Sequence, residues 1–356
     1  SMATNGSADA GNNTNSLLKN QLKSVAELAD NMFNGATKRR SPMLWPLVAV
    51  VVGIALTVFS ADKFIEGASS LADRLGMSHF LIGLTIVSIG TSAPELLVSA
   101  VAAFEGSPGL ALGNALGSNI TNIALVLGAT ACFYPLLVPR PLIRRELPIL
   151  TLVCLAVCAL ALRGTYDVFA GVILLTALPI LLYRLFQDES DVVEDFEIAE
   201  HSMGVAILLT FGGLAVLLAS SKALVWGATE LALQFGISEL VIGLTIVAIG
   251  TSLPELAASL ASAIKGKTDM ALGTVIGSNL FNFLGVIGIA AVIAPFAIET
   301  DVFIRDLPWT LGLTVLLWGL ARFATNGILN RSHGLLLLLL YVSYLWHISA
   351  TIVPTS

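Results

Sequence analysis

Two glutamates stand in apolar surroundings with the same neighbours: Gly90-Thr91-Ser92-Ala93-Pro94-Glu95 recurs as Gly250-Thr251-Ser252-Leu253-Pro254-Glu255, an offset of 255 − 95 = 160 positions. A carboxylate in hydrocarbon is costly to place and marks an ion pathway or proton relay by default. Its recurrence at one offset speaks against accident. Thr91 and Glu95 are four residues apart and share a helix face, with Ser92 three residues from Glu95. Hydroxyls, carboxylates and backbone carbonyls are hard oxygen donors. They suit calcium, magnesium or sodium, whereas for copper, iron or zinc thiolate or imidazole would be expected.

A second motif follows at the same offset. Gly117-Ser118-Asn119 pairs with Gly277-Ser278-Asn279, and Asn122 with Asn282. Ser118 with Asn122, and Ser278 with Asn282, are i and i+4 and add neutral oxygens to one face. Asn119 and Asn279 point about 100° from their serine neighbours and are expected to bond the broken helix ends. Pro94 and Pro254 each remove a backbone hydrogen bond and clash one turn back, so their helices are predicted to break near residues 90 and 250. Unwound backbone at membrane depth is tolerated where it lines a cavity, and its carbonyls are ready cation ligands.

The elements that must position these residues are transmembrane helices. Hydrophobic residues make up 56% and charged residues 12% of 356, against roughly 45–50% and about 25% in soluble domains. The mean hydropathy of +0.88 agrees, and a soluble globular domain is excluded. A span needs about 20 mostly apolar residues. Ten segments qualify: 43–73, 79–104, 109–135, 142–162, 166–186, 203–234, 239–264, 269–295, 302–322 and 328–353. The offset also pairs Gly83-Leu84-Thr85-Ile86-Val87 with Gly243-Leu244-Thr245-Ile246-Val247, and Arg145-Glu146-Leu147-Pro148 with Arg305-Asp306-Leu307-Pro308. A unit this long is a duplicated multi-helix block and not a solenoid repeat of roughly 20–50 residues. Five spans per copy is an odd number, so the copies must enter the membrane from opposite sides. The expected fold is an all-α polytopic membrane protein with ten transmembrane helices in two inverted five-helix repeats.

The expected divisions are a polar tail at 1–42, the first repeat at 43–186, an acidic linker at 187–202 and the second repeat at 203–356. In the tail, Leu18, Leu22, Val25, Ala29 and Met32 recur at helical spacing, which fits a surface amphipathic helix; a mobile tail is the plainer reading. The acidic run lacks an EF-hand's glycine and ligand spacing and reads as a solvated linker. Loop charges favour both termini outside. Arg74, Arg140, Arg144, Arg145, Arg184, Lys265, Lys267, Arg322 and Arg331 then lie inside, and only Arg163 and Arg305 outside, although Lys38-Arg39-Arg40 argues the other way. Cys132, Cys154 and Cys158 lie in predicted spans as packing residues, and the four histidines form no cluster.

On these motifs the chain resembles the cation/calcium exchanger superfamily, sodium/calcium exchangers included, and its bacterial branch in particular. The resemblance runs from about residue 43 to the end, with alpha-repeat motifs in both copies. It implies the ten-helix inverted fold and exchange of calcium for sodium, with the two ions and the lipid bilayer as the partners and a plasma-membrane (bacterial inner-membrane) location. It also implies the ligand set. Glu95 and Glu255 are shared carboxylates, Thr91 and Thr251 give backbone oxygens to calcium, and Ser92, Ser118, Ser252 and Ser278 serve sodium with the carbonyls of Ser88 and Ala248. Asn122 and Asn282 complete the group. Some relatives carry Asp where this chain has Asn282, so the site here has two formal negative charges, not three.

Three other readings stay open at this point. A calcium/proton antiporter uses the same carboxylates as proton carriers. A passive cation channel is disfavoured by inverted repeats with broken helices. An intramembrane enzyme is disfavoured because no nucleophile stands beside a base. No cofactor and no nucleic-acid partner are expected.

Overall fold

The protein is described by a computed structural model over residues 43–189, 201–236, 248–324 and 327–352. The polar tail, most of the acidic linker and the stretch 237–247 lie outside the described residues, and so do the expectations that fall on them. The chain divides after Trp45; of the first unit only Met43, Leu44 and Trp45 are described, and the helical bundle belongs to the unit from Pro46 onward.

The described chain is helical, with two short ribbons. In order it runs α1 Leu44–Leu75, α2 His79–Thr91, α3 Ala93–Phe104, α4 Pro108–Phe133, β1 Leu136–Leu137, α5 Leu147–Ala161, β2 Thr165–Tyr166, α6 Val168–Glu189, α7 Met203–Gln234, α8 Ala248–Thr251, α9 Leu253–Ile264, α10 Thr268–Ile293, β3 Phe296–Ala297, α11 Leu307–Phe323, β4 Ile328–Leu329 and α12 Arg331–Ile352. Among the described residues six helices are long and apolar enough to cross a membrane, and a seventh if the bent pair α2 and α3 counts as one span. The segments at 142–162 and 302–322 start with π turns, Leu142–Glu146 and Val302–Asp306, which carry Arg144, Arg145 and Glu146 in one and Arg305 and Asp306 in the other. Each turn runs without a break into the α-helix that follows, α5 of 15 residues and α11 of 17.

Burial separates the centre from the rim. The most apolar stretch of α4 is 72% buried and that of α10 78%, against 28% for α1 and 22% for each of α6, α7 and α12. The rim helices turn large apolar side chains outward, among them Val58, Ile180, Leu208, Leu339 and Trp346, which is the surface a bilayer requires. Inside, α3 packs on α4, α9 on α10, and α2 along α10. The α2–α10 approach is backbone to backbone: a Cβ on Gly83 would stand 2.5 Å from the carbonyl oxygen of Met270.

The two long helices α1 and α7 cross in close contact and run antiparallel. Gly53 faces Leu224, Gly67 faces Leu209 and Thr210, Gly213 faces Phe64, and Gly227 faces Pro46 and Val50. These four glycines form two pairs at the repeat offset, 53 with 213 and 67 with 227. Mid-seam, the Thr57 hydroxyl donates to Ser220 Oγ at 3.0 Å. Small residues at such a crossing let backbones approach and leave little interlocking relief.

Corresponding local structures recur at the offset. α3 and α9 both end in a left-handed glycine, Gly106 at φ 81° and Gly266 at φ 76°, a conformation open to glycine at no steric cost. β1 pairs antiparallel with β4 and β2 with β3, so each ribbon joins an early strand to a late one. At the start of α6, Asp167 accepts the Ala170 N–H at 2.8 Å. That bond, helped by Arg163, holds its carboxyl below the usual carboxylate range.

A branched side chain in the seam has nowhere to go, because a Cβ on Gly227 would stand 2.6 Å from the Pro46 carbonyl oxygen. Gly227→Val should therefore destabilise the detergent-solubilised protein by about 1–3 kcal/mol, as overpacking does. Gly312→Ala, where a Cβ meets nothing within 4 Å inside α11, should be neutral or stabilise by up to about 1 kcal/mol, alanine being the better helix former. Thermal melting of the two variants side by side checks both.

Candidate cation site

Both repeated glutamate motifs sit at helix breaks. α2 stops at Thr91 and α3 starts at Ala93, with Ser92 at φ −86°, ψ 2° between them and a bend of 45°. Ser252 takes the same conformation, φ −93°, ψ 8°, between α8 and α9. Each proline falls in the first turn of the second half-helix, where a missing N–H leaves no bond unmade. The break expected from proline is thus present, one or two residues upstream of it. The halves differ in detail: the Ser92 N–H donates to the Ser88 carbonyl at 2.9 Å, whereas the Ser252 N–H donates to Ile249 at 3.1 Å. The Ser88 carbonyl also accepts the Thr91 hydroxyl at 3.4 Å.

The breaks point both glutamates at one buried centre. Glu95 is 2% and Glu255 1% exposed, and Ser88, Thr91, Ser92, Ser118, Asn122, Ser252, Ser278 and Asn282 are buried with them; Thr251 is half-buried. The Ser92 hydroxyl reaches across to donate to Glu255 Oε1 at 3.1 Å. Thr91 and Ser278 also lie beside the Glu255 carboxylate. Glu95 and Glu255 are near enough to repel one another, and among the described residues no Lys or Arg forms an ion pair with either.

The oxygens without partners show what the centre can hold. Glu95 Oε2, Glu255 Oε2, Asn122 Oδ1, Asn282 Oδ1, Ser252 Oγ and Ser278 Oγ are all buried and accept no hydrogen bond. Each unmatched buried acceptor costs about 1–3 kcal/mol, and more when charged. Six in one place, two of them anionic, suit a hard cation. Among the described residues no group of three or more His, Cys, Asp or Glu forms a metal-binding cluster, so formal charge toward a cation comes from the two carboxylates.

Asn119 and Asn279 do not bond the broken helix ends as expected; they hold each other's neighbours across the centre. Asn122 Nδ2 donates to Asn279 Oδ1 at 3.2 Å, Asn282 Nδ2 donates to Asn119 Oδ1 at 3.1 Å, and Asn119 Nδ2 donates to the Asn279 carbonyl at 3.4 Å. With their amide nitrogens held, Asn122 and Asn282 turn their oxygens the other way. π turns follow at once, Asn122–Leu127 in α4 and Phe281–Val286 in α10, a feature that often marks functional sites.

One pair of polar residues escapes a reading of the sequence. Asn114 Nδ2 donates to Ser99 Oγ at 3.0 Å and to the Glu95 carbonyl at 3.4 Å, tying α3 to α4 one turn from the carboxylate. The available signal is the spacing Asn114, Ser118, Asn122 along one face. The offset hides it, because Thr274 stands opposite Asn114 and bonds its own helix at Met270.

A bundle of apolar helices around buried hard oxygens, with two carboxylates at its centre, is the architecture of a membrane transporter for hard cations. Comparison with known proteins agrees: the family model for sodium/calcium exchanger protein matches residues 45–187 and 205–350, and the chain belongs to that family. It is 42% identical to CaxA of Alkalimonas amylolytica over 313 residues, 85% of this chain and 98% of that one. It is 27% identical over 341 residues to the sodium/calcium exchanger MaX1 of Methanosarcina acetivorans, 83% of this chain and 96% of that one. Among solved structures, the sodium-calcium exchanger NCX_Mj soaked with Na+ and Sr2+ superposes with a TM-score of 0.75 at 32% identity, over 85% of this chain and 98% of that one. The protein is an integral membrane cation antiporter.

If the asparagine clamp orients the amide oxygens, its loss should weaken ion binding without removing a ligand. Asn119→Ala is expected to raise the calcium concentration for half-maximal transport by about 10- to 100-fold, the usual range for residues that orient ligands, while the protein still folds to a monodisperse species. Calcium titration of transport, with size-exclusion chromatography beside it, provides the check.

Proposed function

We propose that the protein exchanges calcium for sodium by alternating access, with ten spans arranged as two inverted five-helix repeats, both termini outside, in the plasma membrane. The observation that carries this reading is the set of six unpartnered buried oxygens around Glu95 and Glu255. Calcium takes 6–8 oxygens at about 2.3–2.6 Å, and two carboxylates balance one divalent charge. The same carboxylates balance two sodium ions, with neutral oxygens completing their shells. Calcium and sodium then compete for one pair of charges, and competition for one site is what couples their opposite movements.

In this reading Glu95 and Glu255 bind both ions, and the Thr91 and Thr251 backbone oxygens serve calcium. Ser92, Ser118, Ser252 and Ser278 serve sodium, with the carbonyls of Ser88 and Ala248; Asn122 and Asn282 close the ring. The glycine seam supports the moving part, since α1 and α7 meet along small residues and can slide across the core of α2, α3, α4, α8, α9 and α10. An ion-free site holds two repelling carboxylates, which opposes switching without cargo.

A calcium/proton antiporter is the second reading, and one observation favours it: neither carboxylate has a basic partner among the described residues, so a proton is an alternative means of neutralising each. Calcium uptake into vesicles decides. An outward sodium gradient should drive it and a pH gradient alone should not; the reverse result replaces sodium with protons. Glu95→Gln and Glu255→Gln should each abolish uptake, and near-normal transport by either would remove both readings. Asn282→Asp adds a carboxylate that needs another cation or a proton to balance it. Uptake by this variant should become more pH-dependent, approaching wild type toward acid, where a proton makes the new side chain neutral again; curves for wild type and variant that run parallel against pH at fixed sodium would sink the ligand assignment.

A further inference from the structure

Outside the cation centre, one cluster of charged side chains ties a rim helix to a central one. At the end of the bundle where α9 finishes, Lys265 Nζ lies 2.7 Å from Asp62 Oδ1 and 4.0 Å from Glu66 Oε2, both on α1. Glu66 also holds Lys63 at 2.6 Å and His201, just before α7, at 2.6 Å. Lys265 is the residue that closes α9, the half-helix carrying Glu255. The Asp62–Lys265 bond therefore joins the helix that slides to a helix that stays, and it can persist in only one of their relative positions.

The repeat offset places a second such pair at the other end, with the charges exchanged. Asp62 corresponds to Lys222 on α7, since 62 + 160 = 222, and Lys265 corresponds to Glu105 after α3, since 265 − 160 = 105. The local frames match: Glu105 and Lys265 close their helices with N–H bonds to Val101 and Ala261, and each precedes a left-handed glycine. Glu105 is exposed in this structure, while Lys265 is partly covered by α1. In inverted-repeat transporters each half adopts the other's geometry as the site switches sides. That exchange carries Lys222 to Glu105 while Asp62 leaves Lys265.

We propose that Asp62–Lys265 and Lys222–Glu105 are alternating latches, each closed in one of the two end states and fastening opposite ends of the bundle. The proposal rests on the alternating-access reading of the cation site. A part-exposed ion pair is worth about 1 kcal/mol or less, which at 1.4 kcal/mol per tenfold is about a five-fold bias in the state ratio. A bias of that size favours a state without trapping the carrier in it.

The test is cross-linking in vesicles of the full chain, with Cys132, Cys154 and Cys158 replaced by serine. Two cysteine pairs, D62C/K265C and K222C/E105C, are treated with a short bifunctional methanethiosulfonate. Both should cross-link, and each cross-link should stop transport. Adding Asp62→Asn to the K222C/E105C background should speed its cross-linking by up to about five-fold, and the charge-exchanged D62K/K265D should return it toward the starting rate. Failure of K222C/E105C to react at any sodium or calcium concentration would overturn the proposal, as would a rate indifferent to Asp62→Asn. Because cross-linking is read without transport, vesicles that cross-link as expected but exchange no sodium for calcium would count against the choice of ions and not against the latches.

Discussion

The structure depends on keeping two like charges out of water. Glu95 and Glu255 lie within a few per cent of complete burial and near enough to repel, an arrangement that loses both hydration and mutual separation. Each other feature of the core serves to make that tolerable only with a cation present. The helix breaks at Ser92 and Ser252 aim the two carboxylates inward from elements that enter from different parts of the bundle. The asparagine clamp spends amide N–H groups on other amides and leaves acceptors facing the centre. Nothing among the described surroundings neutralises the pair by itself.

The same constraint explains the division of labour among helices. α4 and α10 are mostly buried and carry Ser118, Asn122, Ser278 and Asn282, so these uncharged oxygens stand on the most enclosed elements. The rim helices α1 and α7 carry none of the expected ligands. They touch each other through glycine and single hydroxyls, and they meet the centre in a buried apolar cluster that includes Phe64, Ile82, Leu217 and Met270, with polar ties at His79 and Lys265.

Much of this is legible in the chain because a duplicated motif announces itself twice. The hexapeptide pair locates both breaks and both carboxylates, and the i, i+4 spacing places Ser118 with Asn122 and Ser278 with Asn282 on common faces. The partners of Asn119 and Asn279 are not legible, since helical periodicity gives the direction of a side chain and not which helix lies there. Asn114 is missed for the opposite reason: although its partner Ser99 recurs as Ser259, Thr274 stands at the offset from Asn114, and a search for repetition passes over it. The helices after Pro141 and Asp301 are legible as apolar runs, but their opening π turns, which carry Arg144, Arg145, Glu146, Arg305 and Asp306, are not, since composition does not show how a helix is wound. The ion cluster at Lys265 needs three dimensions, its members being 62, 66, 201 and 265 in a single line of sequence.

The ribbons have a meaning beyond holding loops. Each takes one strand from before residue 190 and one from after, and the offset of 160 carries β1 onto β3. Neither ribbon is completed within one half of the chain. Taken alone, each half of the chain would leave both of its strands without a partner, so the ribbons act as mutual closures: neither half finishes its own backbone hydrogen bonding at these edges until the other is in place.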